Sequence, residues 1–305
     1  MRKPHWRAGT RFPIPPPYSA PMAHIAFLGT GLLGAAFAES AAKRGDTVSA
    51  WNRTPDKARA LASFGIKPAS TPAEAARGAS RVHLVLRDDA VVEEVVAAAR
   101  PGLSADAVLV DHTTTQPTLT AERARRLRAE GVNYLHCPVF MGPAAARDAQ
   151  GSMMAAGPRE LFDRVQADLA KITARLEYLG EREDLAAVHK LFGNAVIIGL
   201  VAITADVLAM ARASGVDAED AIARLKLLDL NAMVARRGSS MAKGDFAASF
   251  ELAMARKDVR LMLETIGGAP AAALPAIAAR MDELIAAGHG AKDTSALAIE
   301  AVRPG

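Results

Sequence analysis

Three glycines, Gly29, Gly31 and Gly34, follow directly on the apolar run at residues 25–28, with Thr30, Leu32 and Leu33 between them, and a helical pattern continues over residues 35–44 to Gly45. The spacing G-x-G-x-x-G says little by itself, but between a strand and a helix it constrains the backbone tightly. Gly29 permits a sharp turn, Gly31 lets a ligand approach the main chain, and Gly34 lets the helix pack close to the strand. The helix N-terminus then offers unpaired N–H groups to an anion, so the segment predicts a cradle for the pyrophosphate of a dinucleotide.

A second apolar run, residues 47–51, ends in Asn52, Arg53 and Thr54. A dinucleotide site that reads a free ribose 2′-hydroxyl usually presents a carboxylate here. A guanidinium and a hydroxyl stand in its place, and they suit a 2′-phosphate: Arg53 can pair with it bidentately and Thr54 can donate to it. The expected cofactor is NADP, with NAD the alternative.

Up to about residue 179, short β-branched or apolar runs (25–28, 48–51, 82–86, 108–110 and 134–139) alternate with helical patterns, as in a parallel sheet with crossover helices. After Gly180 the strand signals stop, and Ala-, Leu- and Met-rich segments of helical period take over, punctuated by Gly215, Gly238, Gly244, Gly267 and Gly268. A chain of 305 residues exceeds the usual single domain. The expected organisation is a flexible Pro-rich extension at 1–21, an NADP-binding α/β Rossmann-type doubly wound domain at 22–184, and an all-α helical domain at 185–305 that includes a long linking helix. Folding is expected to begin near Met22.

The formal charge of +4 invites a nucleic-acid reading, which the distribution of charge removes. Of the 37 basic residues, Arg2, Lys3, Arg7 and Arg11 lie in the acid-free stretch 1–21, and the remaining 33 equal the 33 acidic ones. Aromatics are only 5%, with no basic stripe between them, so no nucleic-acid partner is expected. Cys137 is the single cysteine; it excludes an intramolecular disulfide framework and fits a reducing cytoplasm. The longest apolar stretch, residues 195–205, falls short of the roughly 20 residues that span a bilayer. It reads as a buried helix, with a subunit interface as its other use and no membrane partner expected.

On the helix expected from residue 185 to 210, Ala186, Ala187, Lys190, Asn194, Ile197, Ile198 and Val201 share one face, and Lys190 and Asn194 interrupt its apolar character. A desolvated lysine has a lowered pKa that suits proton transfer. Asn194, one turn on, can orient the amine or a substrate. The bland alternative is a lysine that snorkels to solvent. Lys257 is read in the same way, its face carrying Phe250, Ala253, Met254 and Leu261, with Asp258 beside it.

These segments resemble the β-hydroxyacid dehydrogenase family over nearly the whole chain from Met22, most of all its glyoxylate/succinic semialdehyde reductase branch, with 3-hydroxyisobutyrate dehydrogenases as near relatives. The similarity runs in order through residues 27–34, 51–54, 111–117, 138–142 and 190–194, then 250–252 with Lys257 and Asp258. It implies Lys190 as general acid/base, Asn194 as its companion and a substrate contact, Thr114 beside the nicotinamide ribose and the substrate, and Lys257 at the cofactor and substrate cleft. It also implies a small carbonyl or hydroxy-acid substrate bound near Phe140, Met141 and Gly142, and a homo-oligomer, dimer or tetramer. Two features depart from the family. Phe140-Met141-Gly142 stands where Ser-Gly-Gly is common, so a hydroxyl that would anchor a carboxylate is missing. The stretch from Gly142 to Gly151 is longer than usual, and the glycines expected between Gly180 and Lys190 are replaced.

His112, His136 and Cys137 fall near strand ends, where packed side chains are commoner than metal ligands, and no metal site is expected. Arg87, Asp88 and Asp89 precede a helical pattern; the aspartates suit its cap, and lining of the cofactor cleft by this backbone is the alternative. No Ser-His-Asp arrangement is indicated. The competing functions are imine reduction on a related fold and a cofactor-binding scaffold that has lost catalysis.

Overall fold

The structure, a computed structural model, describes residues 23–302, in two units that meet in sequence at Phe192 and Gly193. The extension expected at 1–21 lies outside the described residues. In the first unit, strands β1 (His24–Leu28), β2 (Thr47–Trp51), β3 (Lys67–Pro68), β4 (Arg81–Leu84), β5 (Val108–Asp111) and β6 (Asn133–His136) form one parallel sheet in the order β3-β2-β1-β4-β5-β6. Helices α1 (Leu32–Lys43), α2 (Pro55–Arg59), α3 (Pro72–Ala76), α4 (Asp89–Ala99) and α5 (Pro117–Ala129) connect the strands. This is the doubly wound topology expected from the alternation of runs.

Side chains on a strand alternate between faces, and β1 shows it: Ile25 and Phe27 enter one core with Phe37 of α1, while Ala26 and Leu28 enter the other with Val92 and Val96 of α4. The register then sets the site. Leu28 is level with Trp51 and with Leu84, and Leu84 with Asp111. The residues that follow, Gly29, Asn52, Val85 and His112, therefore come to one edge of the sheet. The direction of strand addition reverses between β1 and β4, and ligands of such sheets settle outside the carboxyl ends at that point.

The run at 134–139 is not one strand. It breaks after His136, and Val139 opens a second sheet of β7 (Val139–Phe140), β8 (Ser152–Ala155) and β9 (Arg175–Tyr178). Pro138 has no N–H to give a ladder, so a chain that passes through it leaves the parallel sheet. Periodicity missed β8 and β9, and β3 has two residues, too few to carry a pattern. The loop from Gly142 to Gly151 holds a short helix, α6 (Pro143–Arg147), and α7 (Arg159–Leu169) follows β8.

Helix α8 (Leu185–Ala213) begins in the first unit and ends in the second, which continues with α9 (Ala218–Leu225), α10 (Leu230–Ala242), α11 (Leu252–Ile266) and α12 (Leu274–Leu284). Leu252, Ala255, Val259, Ile266, Leu274, Met281 and Leu284 form its core. The buried carboxylate of Asp206 on α8 accepts from the backbone N–H of Ala273 (2.9 Å) and Leu274 (2.8 Å) and so caps α12.

Residues 195–205 are not buried. Val196, Ile197, Ile198, Leu200 and Val201 are exposed, Ile198 and Val201 by two-thirds. As a 29-residue helix α8 is long and apolar enough by composition to cross a bilayer. The apolar side chains point in all directions round the helix, and such a helix needs cover on every side, which the second unit alone does not provide.

A dinucleotide crevice and a buried lysine

Two glycines of the turn, Gly29 and Gly34, answer a steric constraint. Gly29 has φ +98°, and a Cβ there would lie 2.3 Å from the Val85 carbonyl oxygen; at Gly34 it would lie 2.0 Å from the oxygen of Gly29. At Gly31 it would meet nothing within 4 Å, so the open side of the turn lies there. Gly31 is also the N-cap of α1 and brings no side chain to its first N–H groups. Thr30 is buried, its amide donates to Asn52 Oδ1 (2.9 Å), and its hydroxyl has no partner among the described residues. Free helix N–H groups, an unsatisfied hydroxyl and an open glycine fit the pyrophosphate of a dinucleotide.

Beside the turn lies a crevice of about 310 Å³, walled by Gly29, Gly31, Trp51, Asn52, Arg53 and Thr54 on one side and by Val85, Leu86, Arg87, Val91 and Glu94 on the other. Asn52 serves mainly as a brace, accepting from Thr30 and donating to the Thr54 carbonyl (3.1 Å). Arg53 and Thr54 are exposed at the rim with Lys57, one helical turn beyond Arg53. Leu32 is exposed next to Gly31, and Leu33 packs on the core. Arg87 is held by Asp88 (2.6 Å), whose other oxygen accepts from Val91 N–H and caps α4. Asp89 does not share in that cap; it accepts from Gln116 N–H and pairs with Arg123. Lys57 and Glu94 were not picked out as crevice residues from sequence. Lys57 had a readable signal, the i, i+4 spacing from Arg53.

Past β5, Thr113 accepts from Leu86 N–H (3.1 Å), and Thr115 shares its hydroxyl with Thr120 and His136. Thr114 between them is half-buried, and its side chain makes no hydrogen bond among the described residues, which leaves it available to a ligand. Beneath lies a polar network not anticipated from sequence: fully buried Arg123 binds Asp89 (2.6 Å) and Glu93 (2.8 Å), and the Tyr134 hydroxyl donates to Asp111 (2.7 Å). His112 and His136 belong to the packing. His112 Nδ1 lies 2.7 Å from the Cys137 carbonyl and must carry the proton, so Nε2 accepts from His83 Nδ1 at 2.9 Å. Burial, and in His83 also the neighbouring ring, pushes these imidazoles below the ordinary histidine value, His112 to about 4.

Lys190 stands near the start of α8, 9% exposed, where Ala186 packs with Met154 and Ala156 beside Phe140, Leu179 and Leu185. Its Nζ donates to the Val139 carbonyl (2.7 Å) and sits 4.0 Å from the centre of the Phe140 ring. Burial alone lowers its pKa from the ordinary lysine value; no carboxylate compensates it. The segment that follows, Met141 and Gly142, leads into α6, which is fastened to α1 by Arg147 to Glu39 (2.7 Å) and by the Ser40 hydroxyl to the Arg147 carbonyl (3.1 Å). One frame thus carries both the dinucleotide turn and the Phe140–Gly142 segment.

Asn194 and Lys257 belong to the second unit. Asn194 is half-buried. Lys257 is not on a buried face: it is 48% exposed and pairs with Asp258 (2.8 Å), with Met254 and Leu261 exposed along the same side. The core face of α11 is Leu252, Ala255, Val259 and Ile266, offset from the stripe read in the sequence.

Residues 24–180 match the NAD binding domain of 6-phosphogluconate dehydrogenase, and residues 185–300 match the NAD-binding domain of NADP-dependent 3-hydroxyisobutyrate dehydrogenase. The chain belongs to the β-hydroxyacid dehydrogenase family. It is an oxidoreductase of the dehydrogenase/reductase kind and uses a nicotinamide cofactor. Glyoxylate/succinic semialdehyde reductase 1 of Arabidopsis thaliana is 28% identical over 289 residues, which cover 92% of this chain and 98% of that one. Cytokine-like nuclear factor N-PAC of Anopheles gambiae is 25% identical over 282 residues, 90% of this chain but 50% of that protein. In fold, the Streptomyces aurantiacus imine reductase superposes with a TM-score of 0.84 at 25% identity, over 92% of this chain and all of that one.

Proposed function

We propose that this family member reduces a small carbonyl compound, an aldehyde or keto acid, or oxidises the corresponding β-hydroxy acid, with NADP(H) as cofactor and Lys190 as general acid/base. The observation that carries the reading is the Lys190 amine, buried without a carboxylate and hydrogen-bonded to a backbone carbonyl. A structural lysine there is a cost with no compensating ion pair, whereas an amine of lowered pKa suits proton transfer. Bound NADPH supplies the hydride. Lys190 protonates the oxygen of the substrate as negative charge develops on it and takes the proton back in the oxidative direction. Asn194, four residues on along α8, has the spacing to orient that amine or the substrate.

NADP is favoured over NAD because Arg53 and Lys57 at the crevice rim have no carboxylate partners among the described residues and can hold a 2′-phosphate. Gly29, Thr30, Gly31, Leu32, Leu33 and Gly34 take the pyrophosphate, and Thr114 the ribose. Phe140 and Met141 bring apolar bulk and no hydroxyl to the substrate segment, so carbonyls with apolar substituents suit it better than small carboxylates. Imine reduction is the second reading, supported by the likeness to the Streptomyces aurantiacus imine reductase.

We propose further that a second copy of this chain covers α8, because Leu227, Leu228, Leu230 and Val234 of the same unit are exposed as well, and the charges near them in sequence, Lys226, Asp229, Arg236 and Arg237, suit a protein partner better than lipid.

An NADPH-oxidation screen over short aldehydes, keto acids and cyclic imines tests the reading. Turnover of aldehydes or keto acids, with NADPH preferred over NADH and that preference reduced about 10- to 100-fold by Arg53→Ala, is the expected result. Turnover of imines alone, or equal use of both cofactors unaffected by Arg53→Ala, would contradict it.

A further inference from the structure

The ammonium of Lys190 is enclosed by two groups on consecutive residues of β7: the Val139 carbonyl oxygen at 2.7 Å and the face of the Phe140 ring at 4.0 Å. We infer that Phe140 is a positioning residue for Lys190, its ring face acting with the Val139 carbonyl to stabilise the protonated amine and to aim its remaining N–H bonds. The inference rests on the reading of Lys190 as the proton donor.

The physical reason lies in what each group can and cannot do with a proton. A backbone carbonyl accepts from either an ammonium or a neutral amine. An aromatic face attracts the charged form far more than the neutral one, because the main attraction is between the cation and the ring quadrupole, and it strengthens where water is excluded. Phe140 is half-buried and Lys190 nearly fully so. The ring therefore opposes the desolvation that lowers the Lys190 pKa and favours the protonated amine.

Other charges do not intervene. Lys190 meets Val139 and Phe140 of β7, and one turn before it on α8 Ala186 packs with Met154, Ala156 and Leu179, all apolar. Cys137, on the segment leading to β7, is buried and its thiol pushed up, so it stays neutral. His189, the neighbour on α8, has its ring edge-on to Phe192 (5.5 Å), and Arg182 and Asp184 ahead of the helix pair with each other (2.7 Å). Burial lowers the Lys190 pKa and no neighbouring ionised group adds a resolved contribution, so a change in the ring is read against a simple background.

The ring also occupies space. One N–H direction of the ammonium is taken by the carbonyl and a second is covered by the ring, so a substrate oxygen meets what is left. A side chain that fills the same volume without a π face separates charge stabilisation from packing.

The experiment compares wild type with Phe140→Leu, Phe140→Met and Phe140→Tyr. Lys190 is titrated directly by NMR of ¹³C-labelled lysine, its signal assigned with Lys190→Met, and the alkaline limb of kcat/KM is measured for NADPH-dependent reduction. In Phe140→Leu and Phe140→Met, the Lys190 titration is expected to move down by about 0.5 to 1.5 pH units, and Phe140→Tyr is expected to keep it at the wild-type position. An unmoved titration in folded Phe140→Leu and Phe140→Met would overturn the inference. A titration that moves while the kinetic limb stays put supports the role of Phe140 and instead removes Lys190 as the donor.

Discussion

In the dinucleotide unit, strand side chains are covered on both faces of the sheet and even the guanidinium of Arg123 is enclosed, whereas in the helical unit Ile198 and Val201 stand two-thirds exposed on a helix that is apolar all round. The first unit settles its interior by itself. Among the described residues few of its buried polar groups lack a hydrogen-bond partner; the Thr30 hydroxyl, one of them together with His136 Nδ1, lies in the turn expected to hold a phosphate. The second unit settles its carboxylates, with Asp206 and Asp293 both accepting from backbone amides, but not its apolar surface. What distinguishes the two, on the proposed reading, is where their completing contacts come from: a small molecule for the first, a second copy of the chain for the second.

The largest expected effect that tests this contrast is in the Arg123 network. Arg123→Met leaves Asp111 and Asp89 without their cation in a dry site, and it should cost about 3 to 5 kcal/mol of stability, read from the midpoint of urea unfolding. A loss no greater than that of a surface substitution would mean that the interior of the first unit is less committed than its hydrogen bonds indicate.

Acid should act next, and through the histidines. His112 is neutral in the folded state, with its pKa lowered by burial from 6.5 to about 4, and His83 and His136 move in the same direction. A lowered folded value means that the unfolded chain binds protons first as pH falls. The stability held by His112 is therefore complete above about pH 6.5 and is lost between there and about pH 4, roughly 3 kcal/mol for that residue. Unfolding free energies measured across this range should fall with proton uptake. A flat profile in wild type, or one unchanged by His112→Gln, would contradict the account.

The smallest intrinsic effect is expected on α8. Ile198→Glu with Val201→Glu changes exposed positions, so a lone chain should lose no more than about 0.5 kcal/mol per site. If a second copy covers the helix, the same pair of changes should turn a dimer or larger assembly into monomer by sedimentation. A wild-type protein that is already monomeric at working concentration would remove the proposed explanation for the exposed face.

Most of the first unit was legible because its signals are local. Gly29, Gly31 and Gly34 report a turn, and the β-branched runs report strands that bury both faces. Burial in the second unit was not legible in the same way. Apolar periodicity shows that Ile197, Ile198 and Val201 avoid water, but not what covers them, so a buried helix was expected where the single chain leaves one exposed. Lys257 was misplaced for a related reason: the stripe from Phe250 to Leu261 is apolar, yet the core takes the neighbouring face with Leu252, Ala255 and Val259. The Arg123 network joins residues from α4, α5, β5 and β6, and no spacing in sequence announces it.

Lys190→Met tests the central claim most directly, since it keeps the length and packing of the side chain and removes the proton. With NADP binding and unfolding midpoint measured alongside, the account predicts kcat lower by about 10²- to 10⁴-fold, unchanged cofactor affinity, and stability equal to or above wild type, because an ammonium no longer has to be desolvated. Near-normal kcat in the folded, cofactor-binding variant would contradict it.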